Sequence, residues 1–244
     1  MKNALKYLAL ESGLYIANSC RLGIDVELDL ARLSSDSPLQ TIFDVGANFG
    51  QTACRFAKAF PSAAICSFEP VPTSYSRLVE KVKSLPKVRT FNCALGEAVG
   101  TVQINIAASA GSCSIRSIKA TLNSVDVSIQ TLDNICDSNR IDVVDLLKID
   151  VEGFELPVLR GASRRLSAGK VRYIYAECVL APNAEMPHTS FFDLHNFLSE
   201  RGFCFVSYYA ESFDLRLGCA LGNVLYAFRE RLPGSVPGSI RNIS

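Results

Sequence analysis

The sequence has no tryptophan, two methionines and two histidines. Its nine cysteines contain no C-x-x-C pair, so clustered thiolate metal chemistry is not indicated. Their number is odd, and most sit inside apolar runs: Cys66 in AAICSF, Cys93 in TFNCAL, Cys178 in YAECVL and Cys204 in FCFV. They read as small buried thiols in a reducing compartment, and the cytoplasm is the expected location. His188 and His195 share one segment, so a His-rich metal site is not expected. No block of Lys or Arg occurs and the formal net charge is +1. No nucleic-acid partner is therefore expected. No long uncharged apolar run occurs either. The first twenty residues, MKNALKYLALESGLYIANSC, are broken by Lys6 and Glu11, which fits neither a spanning helix nor a signal peptide. Leu5, Leu8, Ala9, Tyr15 and Ile16 mark one helical face. A helix packed on the domain is expected there, with a membrane-surface helix as the alternative.

What is present is apolar material: 48% of the 244 residues are hydrophobic. That is enough for one large core. Three regions are expected: an N-terminal helical extension over 1–40, a main domain over 41–230, and a flexible tail over 231–244, rich in Pro, Gly and Ser. From Thr41 the pattern alternates. TIFDV, AAICSFEP and VRTFNCAL read as strands; QTACRFAKAF and TSYSRLVEKVKSL read as helices, the second capped by Thr73 or Ser74. Such alternation predicts an α/β fold with a parallel sheet and right-handed crossovers. After Gly96, GTVQINIA and SVDVSIQTL read as edge strands around a small-residue loop, AASAGSCSIRS. TLDNICDSN reads as a short helix, VDLLKIDVEG as a buried strand, and ELPVLRGASRRLSAG as one helix. VRYIYAECVL reads as a strand and FFDLHNFLSERG as an amphipathic helix; FCFVSYYA and GNVLYAFRE close the domain as an antiparallel pair.

The segment TIFDVGANFGQTACRFAKAF carries the first functional signal. A strand ends at Asp44; Gly46 and Gly50 frame a turn; a helix follows. This arrangement lets backbone N–H groups approach a polar ligand. Glu69 ends the next strand, 23 residues after Gly46, near the roughly 20-residue spacing at which an acid reaches ribose hydroxyls. Asn48 replaces the middle glycine of G-x-G-x-x-G, which weakens a dinucleotide reading. Asp44 would repel a pyrophosphate but accept a hydrogen bond from an ammonium group. A ligand with a ribose and a cationic or zwitterionic end fits, and S-adenosylmethionine has both.

FDVGANFGQ, SFEPVP, NCALGE, TLDNI, LLKIDVEGFELPVLRGA, YIYAE and NVLYAF follow one another in the sequence. In that order they resemble the FkbM-type methyltransferases, over roughly Thr41 to Phe228. LKIDVEGFE followed by VLRGA is the more specific signature. The resemblance implies a class I methyltransferase (Rossmann-like) fold: a seven-stranded, mainly parallel sheet with helices on both faces and a final antiparallel strand. It also implies S-adenosylmethionine as donor and a hydroxyl acceptor on a sugar, glycan or natural product. By position, Asp44, Gly46, Asn48 and Gly50 would line the methionine end of the cofactor. Glu69 would hold the ribose, and Asn92 and Ala94 would lie near adenine. In the closing segment the family commonly has Asp where this chain has Asn223.

A hydroxyl acceptor must lose its proton, so a base is expected near the tip of the VDLLKI strand. Asp150 is the first candidate and Glu152 the second. Lys148 reads as a structural partner for a carboxylate, and Glu152 could equally bracket the turn at Gly153. Asp150, Glu152 and Glu177 could gather a divalent cation, but no coordination count is fixed and no metal is predicted. His188, in NAEMPHTS, is a further candidate base, while His195 reads as structural. Tyr208, Tyr209 and Phe213 could stack on a sugar or fill the core. Two other readings stay open: a doubly wound NAD-dependent oxidoreductase, and a non-catalytic binding module on the same fold.

Overall fold

The computed structural model describes residues 22–106, 113–114, 123–180, 188–214 and 219–231. The expected helix over the first twenty residues, the tail, and most of the loop from Ala108 to Ser117 lie outside these.

The described helices are α1 (Val26–Leu33), α2 (Gln51–Ala59), α3 (Pro72–Val82), α4 (Leu132–Ser138), α5 (Glu155–Arg160), α6 (Ser163–Ser167) and α7 (Phe191–Ser199). The strands are β1 (Thr41–Val45), β2 (Ala64–Phe68), β3 (Val88–Phe91), β4 (Ala94–Leu95), β5 (Gly100–Ile106) and β6 (Cys113–Ser114), then β7 (Asn123–Gln130), β8 (Val144–Ile149), β9 (Val171–Val179), β10 (Phe203–Asp214) and β11 (Cys219–Phe228). Seven strands form one sheet in the order β10-β11-β9-β8-β1-β2-β3. β3, β2, β1, β8 and β9 pair in parallel, and β11 runs antiparallel to both β9 and β10. This is the expected seven-stranded sheet with its antiparallel strand.

Strand alternation builds the layers. Ile42, Leu146 and Tyr173 share one cluster with Leu30 of α1 and Phe56 of α2. Their chain neighbours Phe43, Leu147 and Ile174 share another with Val158 of α5, Leu166 of α6 and Leu194 of α7. Successive side chains point to opposite faces, so a sheet covered by helices on both sides needs nearly continuous apolar strands. β8 and β9 are buried at every position.

Three expectations change. VRTFNCAL is not one strand: β3 joins the main sheet, whereas β4 joins a second, four-stranded sheet ordered β4-β7-β5-β6. Asn92 sits at that break and ties its side chain to the carbonyls of Glu69 and Pro70, at 2.9 and 3.0 Å. ELPVLRGASRRLSAG is two helices, divided at Gly161 and Ala162; Gly161 also packs on the Gly96 carbonyl, and a Cβ there would lie 1.9 Å from that oxygen. The first turn of α3 uses Pro72 after Val71, not Thr73 or Ser74, as suits a residue with no N–H to lose.

Cys66, Cys93, Cys136 and Cys178 are free and buried, while Cys204, expected in the core, is half-buried. Burial pushes the Cys178 thiol up to about 12, which makes it a poor nucleophile. No helix among the described residues is long and apolar enough to cross a membrane.

Candidate active site

The carboxyl ends of β1, β2, β8 and β9 open onto a cavity of about 290 Å³. In open α/β sheets this edge is where ligands bind. Its wall runs from Ala94 and Leu95, past Phe68 and Glu69, then Gly46 and Asn48, to Asp150, Glu152 and Glu177.

Glu69 is 6% exposed. Its Oε2 accepts from the Asn48 N–H at 2.9 Å, and its Oε1 accepts from the Val71 N–H at 2.9 Å. Burial raises its pKa to about 7, against the pull of these two N–H groups and of Lys148. Each oxygen keeps a lone pair for a ligand hydroxyl.

The turn after β1 is held from below. Lys148 is 4% exposed. Its Nζ lies 3.1 Å from Asp44 Oδ1 and 3.4 Å from Asp150 Oδ2, and it donates to the Gly46 carbonyl at 3.1 Å. Burial lowers its pKa, but Asp44 and Asp150 outweigh burial and hold it above the ordinary lysine value. Gly46 has φ +77°, and a Cβ there would meet the Asp150 carbonyl oxygen at 1.8 Å. The glycine is needed for strand-end packing as much as for a ligand. Asn48 adopts φ +48°, a left-handed conformation that asparagine tolerates better than most residues. Gly50 is the N-cap of α2 and packs under Leu78, away from the cavity.

β8 ends at Ile149, so Asp150 and Glu152 stand on a turn and not on the strand. That turn is bracketed by Glu155, which sequence reasoning missed, and not by Glu152. Glu155 is fully buried. Its Oε1 accepts from the Val151 and Gly153 N–H groups at 3.2 and 3.1 Å, and its Oε2 accepts from the Thr189 hydroxyl. An acid two residues beyond Gly153 was the available signal. The bracket holds Glu152 at φ +54°, facing His188 and Glu177. His188 Nε2 lies 3.9 Å from Glu152 Oε2, and His188 Nδ1 lies 3.2 Å from Glu177 Oε2. Burial raises the pKa of Glu177 to about 7 and raises that of Glu152. Pairing with Glu177 raises that of His188.

Of the sequence candidates, Gly46, Asn48, Glu69, Ala94, Asp150 and Glu152 line the cavity, and His188 meets it through Glu152 and Glu177. Asp44, Gly50 and Asn92 do not line it; they hold Lys148, α2 and the β2 end in place. Asn223 is adjacent to Glu177 in register but donates to Glu211 Oε1 at 2.6 Å. Tyr209 is core, its hydroxyl donating to Asp29 at 2.8 Å. The Phe213 side chain lies outside the described residues. His195 is structural, 3.1 Å from the Tyr226 hydroxyl.

Residues 44–205 match the methyltransferase FkbM domain. The chain belongs to the FkbM methyltransferase family. Over 158 residues it is 30% identical to the 2-O-methyltransferase NoeI of Sinorhizobium fredii, covering 58% of this chain and 64% of NoeI. Over 154 residues it is 27% identical to the hexuronic acid methyltransferase AglP of Haloferax volcanii, covering 62% of each. The matches thus span less than two thirds of these relatives. A solved structure, the magnesium protoporphyrin IX methyltransferase of Synechocystis PCC 6803 with bound SAM, superposes with TM-score 0.49 at 13% identity. It covers 83% of this chain and 77% of that one. Family membership sets aside the oxidoreductase reading of the FkbM chain's turn.

Proposed function

We propose that this FkbM protein is an S-adenosylmethionine-dependent O-methyltransferase acting on a hydroxyl of a sugar or glycan. The observation that carries the donor assignment is Glu69. It is a buried acid at the carboxyl end of β2, fixed by two backbone N–H groups at the wall of a cavity. The cavity fits an adenosyl ligand in its chemistry. Phe68, Val71, Ala94, Leu95 and Ile104 give an apolar wall for a base, Glu69 accepts from ribose hydroxyls, and Asp150 offers a carboxylate to an ammonium group.

The bound donor supplies an electrophilic methyl group on a sulfonium. This chain's residues do the rest. Gly46 and Asn48 shape the turn, and Asp44 positions it through Lys148. For that methyl to pass to an acceptor oxygen, the hydroxyl proton would have to be taken up by a group of the chain. Glu152, Glu177 and His188 stand at the β8–β9 side of the cavity, and we assign proton acceptance to that side, with Asp150 orienting. Positioning supplies much of the acceleration in such a reaction. The sugar class rests on the names of NoeI and AglP. The chain's neutral balance favours a small acceptor over nucleic acid, and its free thiols fit the cytoplasm.

The test is transfer of labelled methyl from S-adenosylmethionine to a panel of hexoses, deoxyhexoses and hexuronic acids, free and in oligosaccharides. Labelled product lost in Glu69→Ala supports the reading. Product only with non-sugar acceptors overturns the substrate class, and no product with any acceptor overturns the activity.

A further inference from the structure

The β8–β9 side of the cavity holds more ligating power than proton transfer needs. One donor atom each from Glu152, Glu177 and His188 can be chosen so that all lie within 4.8 Å of one another. Bonds of about 2.1 Å from a shared ion would place ligand atoms about 3–4 Å apart. The widest pair therefore needs to close by about 1–2 Å, within the reach of side-chain rotation.

A second observation points to a missing partner. Glu177 is 8% exposed, and its Oε2 makes no hydrogen bond; neither does His188 Nδ1. The two atoms are 3.2 Å apart, so each has the other as its contact, an ion pair when His188 carries its proton. Buried polar atoms nearly always find partners. A carboxylate oxygen and an imidazole nitrogen paired with nothing but each other are also two ligand types for one cation, which can take the place of the proton between them. Burial alone disfavours two charged carboxylates side by side, and a divalent ion between them reverses that cost.

We propose that Glu152, Glu177 and His188 bind one divalent cation of the Mn²⁺ or Mg²⁺ type at the edge of the donor cavity. The two carboxylates suit such an ion, the imidazole favours Mn²⁺ over Mg²⁺, and three protein ligands leave coordination positions open. Acceptor hydroxyl oxygens fit those positions, and an oxygen on a cation loses its proton more readily; with the three side chains engaged as ligands, that proton passes to Asp150, a half-exposed carboxylate on the same cavity wall. This role at the acceptor rests on the methyltransferase reading above; the binding site itself does not. Glu155 and Thr189 then act as positioning residues, since their hydrogen bond ties the Glu152 turn to the residue after His188.

The experiment is titration of the whole chain, stripped with chelator, with Mn²⁺, followed by electron paramagnetic resonance and calorimetry. S-adenosylmethionine is titrated in parallel. One Mn²⁺ site is expected, weakened at least tenfold in both Glu177→Gln and His188→Gln and unchanged in Glu200→Gln, an exposed acid elsewhere. Circular dichroism checks the fold of each variant. No Mn²⁺ site in the folded wild type overturns the proposal, whatever the variants do. So does equal binding by the folded Gln variants. Mn²⁺ bound without S-adenosylmethionine would sink the donor reading and leave the metal site standing; the reverse would sink the metal site alone.

Discussion

Lys148 and Asp44 face each other across β1 and β8, register neighbours whose side chains meet at 3.1 Å with almost no solvent. Asp44 is the carboxylate that depends on it, since Asp150, the other one nearby, is 44% exposed. Lys148→Met would leave the fully buried Asp44 without its cation. Uncompensated buried charge costs about 3–5 kcal/mol, so chemical denaturation should show a loss of that order. The double variant with Asp44→Asn should recover part of it. A double variant no more stable than Lys148→Met would contradict the pairing.

Glu155 makes a different prediction. Its carboxylate satisfies the Val151 and Gly153 N–H groups and the Thr189 hydroxyl. Each buried donor left unpaired costs about 1–3 kcal/mol. Glu155→Ala should lower the melting temperature and reduce methyl transfer more than donor affinity, because the turn it brackets carries Glu152. Conservative Glu155→Gln should recover part of both. Unchanged turnover in a folded Glu155→Ala protein would show that the turn's position does not matter.

The pH dependence of donor binding follows from Glu69. Its pKa stands near 7 in the unliganded protein because burial favours the neutral acid. A ribose diol is held better by the carboxylate, a stronger acceptor. Affinity should therefore rise as pH increases from about 6 to 8 and level off above, where Glu69 is ionised before binding. Calorimetry in buffers of different ionisation enthalpy should show proton release near pH 6 and little near pH 8.5. The rise should vanish in Glu69→Gln. Affinity that falls over this range would contradict the role of the carboxylate.

The local parts of the site were legible in the sequence, the assembled parts less so. DVGANFG between a strand and a helix announces its own turn, and Glu69 is reachable because strand, helix and strand have standard lengths. Lys148 could be read as a carboxylate partner, since an isolated cation in an apolar strand needs one. Asn92 and Gly50 sit in motif segments yet serve packing, a distinction set by which way the backbone turns. The Glu177–His188 pair joins β9 to the approach to α7, and no periodicity relates the two. Gly161 packs on the distant Gly96 carbonyl, and the second sheet is built from strands that leave the main one after Asn92. Long-range contacts of this kind carry no local signal.

The central claim is a donor site organised by Glu69, and calorimetric titration tests it most directly. S-adenosylmethionine, S-adenosylhomocysteine and NAD should be titrated in parallel into wild type and Glu69→Ala. The account predicts that both adenosyl ligands bind wild type, that Glu69→Ala weakens them at least tenfold, and that NAD does not bind. Adenosyl affinity unaffected by Glu69→Ala, or binding of NAD alone, would contradict it.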